Sequence, residues 1–330
     1  MTHPKENILH FVEKTMNVTD KFRRNTAVNL LNTIVTAWPS PKEKEKKKFN
    51  AEPGTLEYAK AYGKEQFVAR MRRGLGSSLP IQELWGKRAL EIGCGHGGIT
   101  CFLGCMGATT TGIDLNTTNL ELGRQFAEGL GQDIGRGPLP VEFLEMDASR
   151  LDFSDNTFDF ILADNLLEHV MDPEAVLREA RRVLKPDGVL VLPKFSSIYS
   201  KYGLHLKHGL KLPWANLLFS DQTIVKTLLR QAEKRPELFE VYPGLYDNPQ
   251  TPRDVRRYKD LNDITYAAFR KMAQEVGFEL DYFRVKPTLG GRILRKFAPL
   301  VEKTILLDIL STSAAAVLRP TPDNSPVSSS

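Results

Sequence analysis

The sequence predicts a doubly wound α/β fold: a seven-stranded, mostly parallel sheet, preceded by helices and interrupted by an insertion after the fifth strand. Three observations predict it. Between residues 88 and 195, apolar runs of strand length alternate with amphipathic helical stretches, the pattern of parallel strands covered on both faces. The first of those runs, "RALEIGC", passes through the glycine-rich turn "GCGHGG" into a helix. The alternation then stops near residue 196 and resumes as helix and strand near residue 262.

Each element follows from its own stretch of chain. In the first ~37 residues, "NILHFVEKTM" and "AVNLLNTIVTAW" place apolar side chains at three- and four-residue spacing, which predicts helices. "PSPKEKEKKK" reads as an exposed linker, and a further helical stretch runs from Lys64 to Arg73. Strands are expected at 88–94, 108–115, 141–147, 158–164 and 188–195, with helices at 97–107, 117–130 and 173–185 between them. In the last helix Val176, Ala180, Val183 and Leu184 form a core-facing stripe, and Pro186-Asp187-Gly188 ends it. Residues 196–260 are rich in Tyr, His, Lys, Pro and Trp and have no clear period. "NDITYAAFRKMAQEVG" is a helix with Asn262 as N-cap and Gly277 as the residue past its end. A strand at 278–287, a helical segment at 291–309 and a strand near "SAAAVLRP" complete the sheet. The chain thus divides into an N-terminal helical region with a basic linker (1–75), a nucleotide-binding core (76–195), a substrate-recognition insertion (196–260), a C-terminal completion of the sheet (261–320) and a disordered tail (321–330). There are no internal repeats.

Composition narrows the class. At 330 residues, with 41% hydrophobic and 26% charged side chains, the chain can bury a full core. The net charge of +5 is mild, and in "PKEKEKKKF" the basic residues are interleaved with acids, so no nucleic-acid partner is expected. Three cysteines and no apparent leader point to a reducing compartment, and the cytoplasm is the expected location. The apolar run "TILLDILSTSAAAVL" is broken by Asp308 and falls short of the roughly 20 residues of a spanning helix.

Gly93, Gly95 and Gly98 match G-x-G-x-x-G, and Asp114 follows at the end of the next strand. That pattern alone is shared by dinucleotide sites and other nucleoside sites, because glycines let backbone approach the ligand and an acid takes ribose hydroxyls. A nicotinamide dehydrogenase therefore stays open on this motif. Three features favour S-adenosylmethionine: Glu91 stands two residues before the first glycine, where a cationic ligand suits it better than a pyrophosphate; Asp147 closes the third strand; and the fourth strand ends in polar "ADN".

Taken in order, "ALEIGCGHGG", "GIDLN", "MDASRLDFSDNTFDFILADNLLEHV" and "REARRVLKPDGVLVL" resemble successive motifs of the class I S-adenosylmethionine-dependent methyltransferases, nearest the branch of the ubiquinone, menaquinone and sterol enzymes. The resemblance covers roughly residues 80–195, and "DITYAAFRKMAQEVGFEL" resembles the helix and strand that follow. It implies a Rossmann-like fold and S-adenosyl-L-methionine as cofactor. It also implies that Glu91, Gly93 and Gly95 cradle the methionine end, with Gly97 and Gly98 supporting the turn. Asp114 would bind the ribose, Asp147 and Ala148 the adenine, and Asn165 would lie near the methionine portion.

The chemistry needs a nucleophile held against an activated methyl group and, for a hydroxyl acceptor, a base. His205, in the aromatic- and histidine-rich "SSIYSKYGLHLKHGLKLPWANLLFS", and His169, just after the fourth strand, are the candidates. Glu168 is a candidate for an indirect cofactor contact. Lys201, Lys207 and Lys211 suit an anionic substrate, Trp214 suits packing of the insertion, and Tyr58 and Tyr62 suit a lid. No metal is expected. Cys94, Cys101 and Cys105 follow C-x6-C-x3-C, which matches no common zinc or cluster spacing. "DN" at 164–165 resembles half of the acid–amide set of magnesium-dependent catechol-type enzymes, but "LPKF" lacks the partner carboxylate. The expected acceptor is a small molecule bearing a hydroxyl, sugar-like or a secondary metabolite. The alternative is a lipid or quinone at a membrane surface, approached through "RILRKFAPLVEKTILLDIL".

Overall fold

The computed structural model describes residues 57, 84–133, 137–206, 210, 212–236, 238, 261–288 and 304–322. The expected N-terminal helices, Tyr58, Tyr62, Lys207, His208, Lys211, and most of the 291–309 segment and of the tail lie outside them.

Seven strands form one sheet in the order β3-β2-β1-β4-β5-β7-β6. They are β1 (Arg88–Ile92), β2 (Thr109–Asp114), β3 (Val141–Glu145), β4 (Phe158–Leu162), β5 (Leu184–Phe195), β6 (Phe278–Pro287) and β7 (Ser311–Pro320). The first five run parallel, and β7 lies antiparallel between β5 and β6. The helices are α1 (Gly98–Cys105), α2 (Thr117–Asp133), α3 (Pro173–Val183), α4 (Ala215–Leu218), α5 (Asp221–Lys234), α6 (Tyr266–Glu275) and α7 (Ile305–Ile309).

Alternation along the strands builds two core layers. Leu90 and Ile92 of β1, Ile161 of β4 and Leu190 and Leu192 of β5 pack with Val176, Leu177, Ala180 and Val183 of α3 and Phe269 of α6. Ala89, Phe160, Leu162, Val189 and Val191 point to the other face, against Ile99 and Leu103 of α1. Because side chains alternate with period two, Glu91 is carried to the α1 side with Ala89.

Three expectations about the elements change. Helix α3 ends at Val183, and Pro186-Asp187-Gly188 lies within β5 rather than stopping the helix. The β4–β5 register shifts there, from Phe158↔Leu184 to Phe160↔Val189, so the extra residues form a bulge. The N-cap of α6 is Thr265, whose hydroxyl accepts from the Ala268 amide at 3.1 Å, and not Asn262. Asn262 is drawn off by tertiary partners: its Nδ2 donates to the carbonyls of Leu167 (2.6 Å) and Val170 (2.7 Å). Gly277 does follow α6 in the left-handed region, with φ +86°. Finally, the stretch read as aperiodic contains the amphipathic α5, capped by Ser220 and burying Ile224, Val225, Leu228 and Ala232.

The strand order reverses between β1 and β4, since β1 leads leftward to β2 and β3 while β4 leads rightward to β5. In open α/β sheets the crevice at the carboxyl ends of such neighbours is where ligands bind. Here it is lined by the turn after β1 and the loop after β4.

Candidate active site

The glycine turn is bent by three left-handed residues, Gly93 (φ +71°), Gly95 (φ +51°) and Gly97 (φ +70°). Their surroundings differ. A Cβ on Gly97 would stand 2.4 Å from Phe143 Cε1, so that glycine is needed for packing. A Cβ on Gly93 would meet Leu166 Cδ1 at 2.7 Å, which brings the loop after β4 directly against the turn. A Cβ on Gly95 would meet nothing within 4 Å. Gly95 therefore faces open space at the crevice, which is what a backbone approached by a ligand requires.

Asp114 ends β2 beside it, half-buried. Its Oδ2 accepts from the Gly95 amide (2.9 Å) and its Oδ1 from the Asn116 amide (2.8 Å), so the carboxylate is oriented by backbone. The Met146 amide donates to the Asp114 carbonyl (3.3 Å) and holds the chain leading to Asp147 alongside. Asp147 is exposed; the amide and hydroxyl of Ser149 both donate to its Oδ1 at 2.8 Å. Those bonds, the backbone one first, hold its carboxyl below the usual carboxylate range. Ala148 is half-buried next to it.

Glu91 takes another place than a ligand-facing one. Its side chain is buried, and its Oε2 accepts from the Thr100 hydroxyl on α1 at 2.5 Å. Burial pushes its carboxyl up to about 8, against the lowering effect of Thr100. Glu91 thus stands behind the turn and joins β1 to the start of α1. His96, within the turn, is held below the usual histidine range by burial. Cys94 and Cys101 are buried, Cys105 half-buried, and desolvation pushes the first two thiols well up, so they stay protonated.

The other wall is the loop 164–169. Asn165 is left-handed (φ +58°); its amide donates to the Lys194 carbonyl (2.7 Å) and its Oδ1 accepts from Lys194 Nζ (2.5 Å). Glu168 is 2% exposed, and burial pushes its carboxyl up to about 7. Its Oε1 accepts from the Ser196 amide (3.1 Å) and its backbone carbonyl from the Asn262 amide (3.0 Å). His169 and His205, distant in sequence, come together with ring centroids 4.9 Å apart. His205 Nε2 lies 3.8 Å from Glu168 Oε1. Both predicted bases thus share one patch with a buried carboxylate.

Of the remaining residues, Trp214 packs the insertion, its Nε1 donating to the Ile309 carbonyl at 2.8 Å. Lys201 Nζ lies over the exposed Tyr202 ring, 5.3 Å from its centroid. Lys194 and Thr100 join the site only in the folded chain. A lysine in the otherwise apolar "VLVLPKF" was the available signal for the first; for Thr100, on an ordinary helix start, there was none.

Residues 90–192 match the methyltransferase domain family. This segment is a class I S-adenosylmethionine-dependent methyltransferase domain. The chain is similar to the ubiquinone biosynthesis O-methyltransferase of Actinobacillus pleuropneumoniae serotype 5b (strain L20), 35% identical over 128 residues, 37% of this chain and 51% of that protein. It is similar also to the enzyme of that name from Brucella anthropi, 30% identical over 172 residues, 52% of this chain and 63% of that one. The matched region thus spans half or somewhat more of those relatives' length. Among solved structures, an S-adenosylmethionine-dependent methyltransferase from Mesorhizobium loti aligns with TM-score 0.46 at 17% identity, covering 76% of this chain and 98% of that one.

The residues fit the cofactor of this family. The open space at Gly95 and the backbone-oriented Asp114 beside it are the parts that a nucleoside carrying a charged amino-acid end needs. Among the described residues, no helix is long and apolar enough to cross a membrane.

Proposed function

We propose that this chain transfers the methyl group of S-adenosylmethionine to a hydroxyl oxygen of a small molecule. The observation that carries the proposal is the joining of His169, His205 and buried Glu168 in one patch at the loop after β4, the loop whose Leu166 lies against Gly93. A hydroxyl acceptor must lose its proton, and this is where side chains able to manage that proton gather.

Asp114 and Asp147 would hold the nucleoside, Gly93 and Gly95 would let the backbone close on the methionine end, and Asn165 would border it. The bound cofactor supplies a methyl group already activated by its sulfonium, so the protein's share is positioning, desolvation and proton handling. His205 and His169 would receive the acceptor's proton, Glu168 stabilising the imidazolium. The insertion carrying Tyr199, Tyr202 and Trp214 would cover the acceptor and exclude water.

For the acceptor's class, the O-methyltransferase names of the relatives support a phenolic or quinone-like hydroxyl over a sugar-like one. Such an acceptor would be presented at a membrane surface by peripheral contact, with the enzyme itself in the cytoplasm. Incubation with isotopically methyl-labelled S-adenosylmethionine and either a catechol or a sugar diol, followed by mass spectrometry, tests this. A methoxy product from the catechol supports the reading; label on nitrogen or carbon, or on the sugar alone, contradicts it.

A further inference from the structure

We infer that Lys194 is a further catalytic residue of the transfer: its ammonium meets the acceptor's oxygen, holds it as the anion, and so selects phenolic hydroxyls over alcoholic ones. The inference rests on the proposed transfer to a hydroxyl and names the residue that decides which hydroxyl.

The backbone aims this side chain. Leu192 and Phe195 both pack on the α3 and α6 side of the sheet, although they are three residues apart. In an undisturbed strand they would point to opposite faces. The register between β5 and β7 shifts between them, and such irregularities re-aim side chains beside sites. Lys194 lies within this stretch, half-buried, in the otherwise apolar run from Val189 to Phe195.

The loop after β4 then clamps it at two points. The Asn165 amide donates to the Lys194 carbonyl at 2.7 Å, and Lys194 Nζ donates to Asn165 Oδ1 at 2.5 Å. Asn165 makes both bonds from the left-handed region, φ +58°, a conformation that a non-glycine residue keeps where its surroundings fix it. The ammonium is thus held on the short loop that touches the glycine turn through Leu166 and carries Glu168 and His169.

The neighbouring acid leaves room for this role. Burial dominates the Glu168 carboxyl and pushes it up to about 7, with Lys194 pulling the other way. A carboxyl so placed takes up a proton near neutral pH. When it does, its attraction for the Lys194 ammonium ends, and a second anion, the acceptor's oxygen, can take its place.

Magnitudes decide which hydroxyl such a cation can serve. An opposite charge within about 4–6 Å lowers a pKa by roughly 1–3. A phenol titrates at about 10, so beside Lys194 it would come within reach of an imidazole base at about 6.5. An alcohol, ionising roughly where water does at about 15.7, would not. In the step, the phenol's proton passes to His205 or His169, while Lys194 keeps its own protons and stabilises the oxygen anion. A lone pair of that oxygen forms the new O–CH3 bond as the carbon–sulfur bond breaks and its pair returns to sulfur.

The test is spectrophotometric pH titration of nitrocatechol, whose absorbance reports its ionisation, bound to the full chain with S-adenosylhomocysteine present. The bound probe is expected to ionise at a pH lower by at least about 1 than the free one. Lys194→Gln is expected to abolish that displacement and Lys194→Arg, which keeps the charge, to retain it. Asp164, Glu168, His169 and His205 are common to wild type and Lys194→Gln, so the difference between the two belongs to Lys194. Affinity for S-adenosylhomocysteine is expected to be unchanged in both variants and shows that they are folded. Asn165→Gly, which keeps a left-handed backbone accessible and removes the clamp, is expected to reduce the displacement and gives the comparison if Lys194→Gln does not fold. No displacement in the wild type, or an equal one in Lys194→Gln, would overturn the inference. So would a loss of S-adenosylhomocysteine affinity in Lys194→Gln that Lys194→Arg restores, which would give the ammonium to the cofactor's carboxylate. If the displacement is missing while the catechol is methylated, the Lys194 inference fails and the transfer reading stands. If nitrocatechol does not bind and the catechol is not methylated, the phenolic reading fails and this inference with it.

Discussion

Replacing each of three left-handed glycines by alanine separates backbone strain, packing and ligand space. Gly95→Ala, Gly97→Ala and Gly86→Ala all place a side chain at positive φ, +51°, +70° and +71°. That alone costs about 1–2 kcal/mol. At Gly86 and Gly95 a Cβ meets nothing within 4 Å, so no further loss of stability is expected. At Gly97 the Cβ would stand 2.4 and 2.5 Å from two Phe143 ring atoms and 3.1 Å from Gly123 Cα. Overpacking of this kind adds about 1–3 kcal/mol, giving about 2–5 kcal/mol in all at Gly97. Thermal melts should therefore rank Gly97→Ala well below the other two, at roughly 2–4 °C per kcal/mol. Calorimetric titration with S-adenosylhomocysteine should separate the remaining pair. Gly86→Ala should bind as the wild type does, while Gly95→Ala should lose about tenfold or more, or about 1.4 kcal/mol. Equal affinities for Gly86→Ala and Gly95→Ala would refute the claim that the space before Gly95 is the cofactor's.

Two further perturbations test the supports of the site. Asn262→Ala leaves the carbonyls of Leu167 and Val170 without their donor; a loss of about 2 kcal/mol is expected in denaturant unfolding, and an unchanged midpoint would contradict the role given to this side chain. Glu91 titrates in the fold near 8, above the ordinary carboxylate range, because burial disfavours its charge. The fold therefore binds a proton that the unfolded chain has released, and stability should fall as pH rises from the ordinary carboxylate range towards 8. Glu91→Gln removes that dependence, so the melting-temperature difference between variant and wild type should move in the variant's favour over that window; parallel curves would contradict it.

The parallel strands were legible because both faces of the sheet are covered and each strand is an apolar run of its own. The glycine turn and Asp114 were legible for a related reason: the constraint is local, written in consecutive backbone. Helix α5 was not, because its buried face includes Thr223, Thr227 and Gln231 beside Ile224, Val225, Leu228 and Ala232, and those polar positions mask the period. The N-cap of α6 is not legible locally, because Asn262 and Thr265 are both good caps and distant carbonyls that need a donor make the choice. Gly188 reads like a helix stop in sequence but serves a bulge forced by the pairing of β4 with β5. His169 and His205 were each identifiable as chemistry-bearing, but their meeting over Glu168 is a product of how the insertion folds back on the sheet.

The most direct test of the account is calorimetric titration of the purified chain with S-adenosylmethionine, S-adenosylhomocysteine and NADH, repeated with Asp114→Ala and a circular-dichroism check of folding. The account predicts binding of the sulfonium nucleoside and its thioether product at about micromolar affinity, lost in the folded variant, and no binding of NADH. Binding of NADH with silence towards both sulfur nucleosides would contradict it.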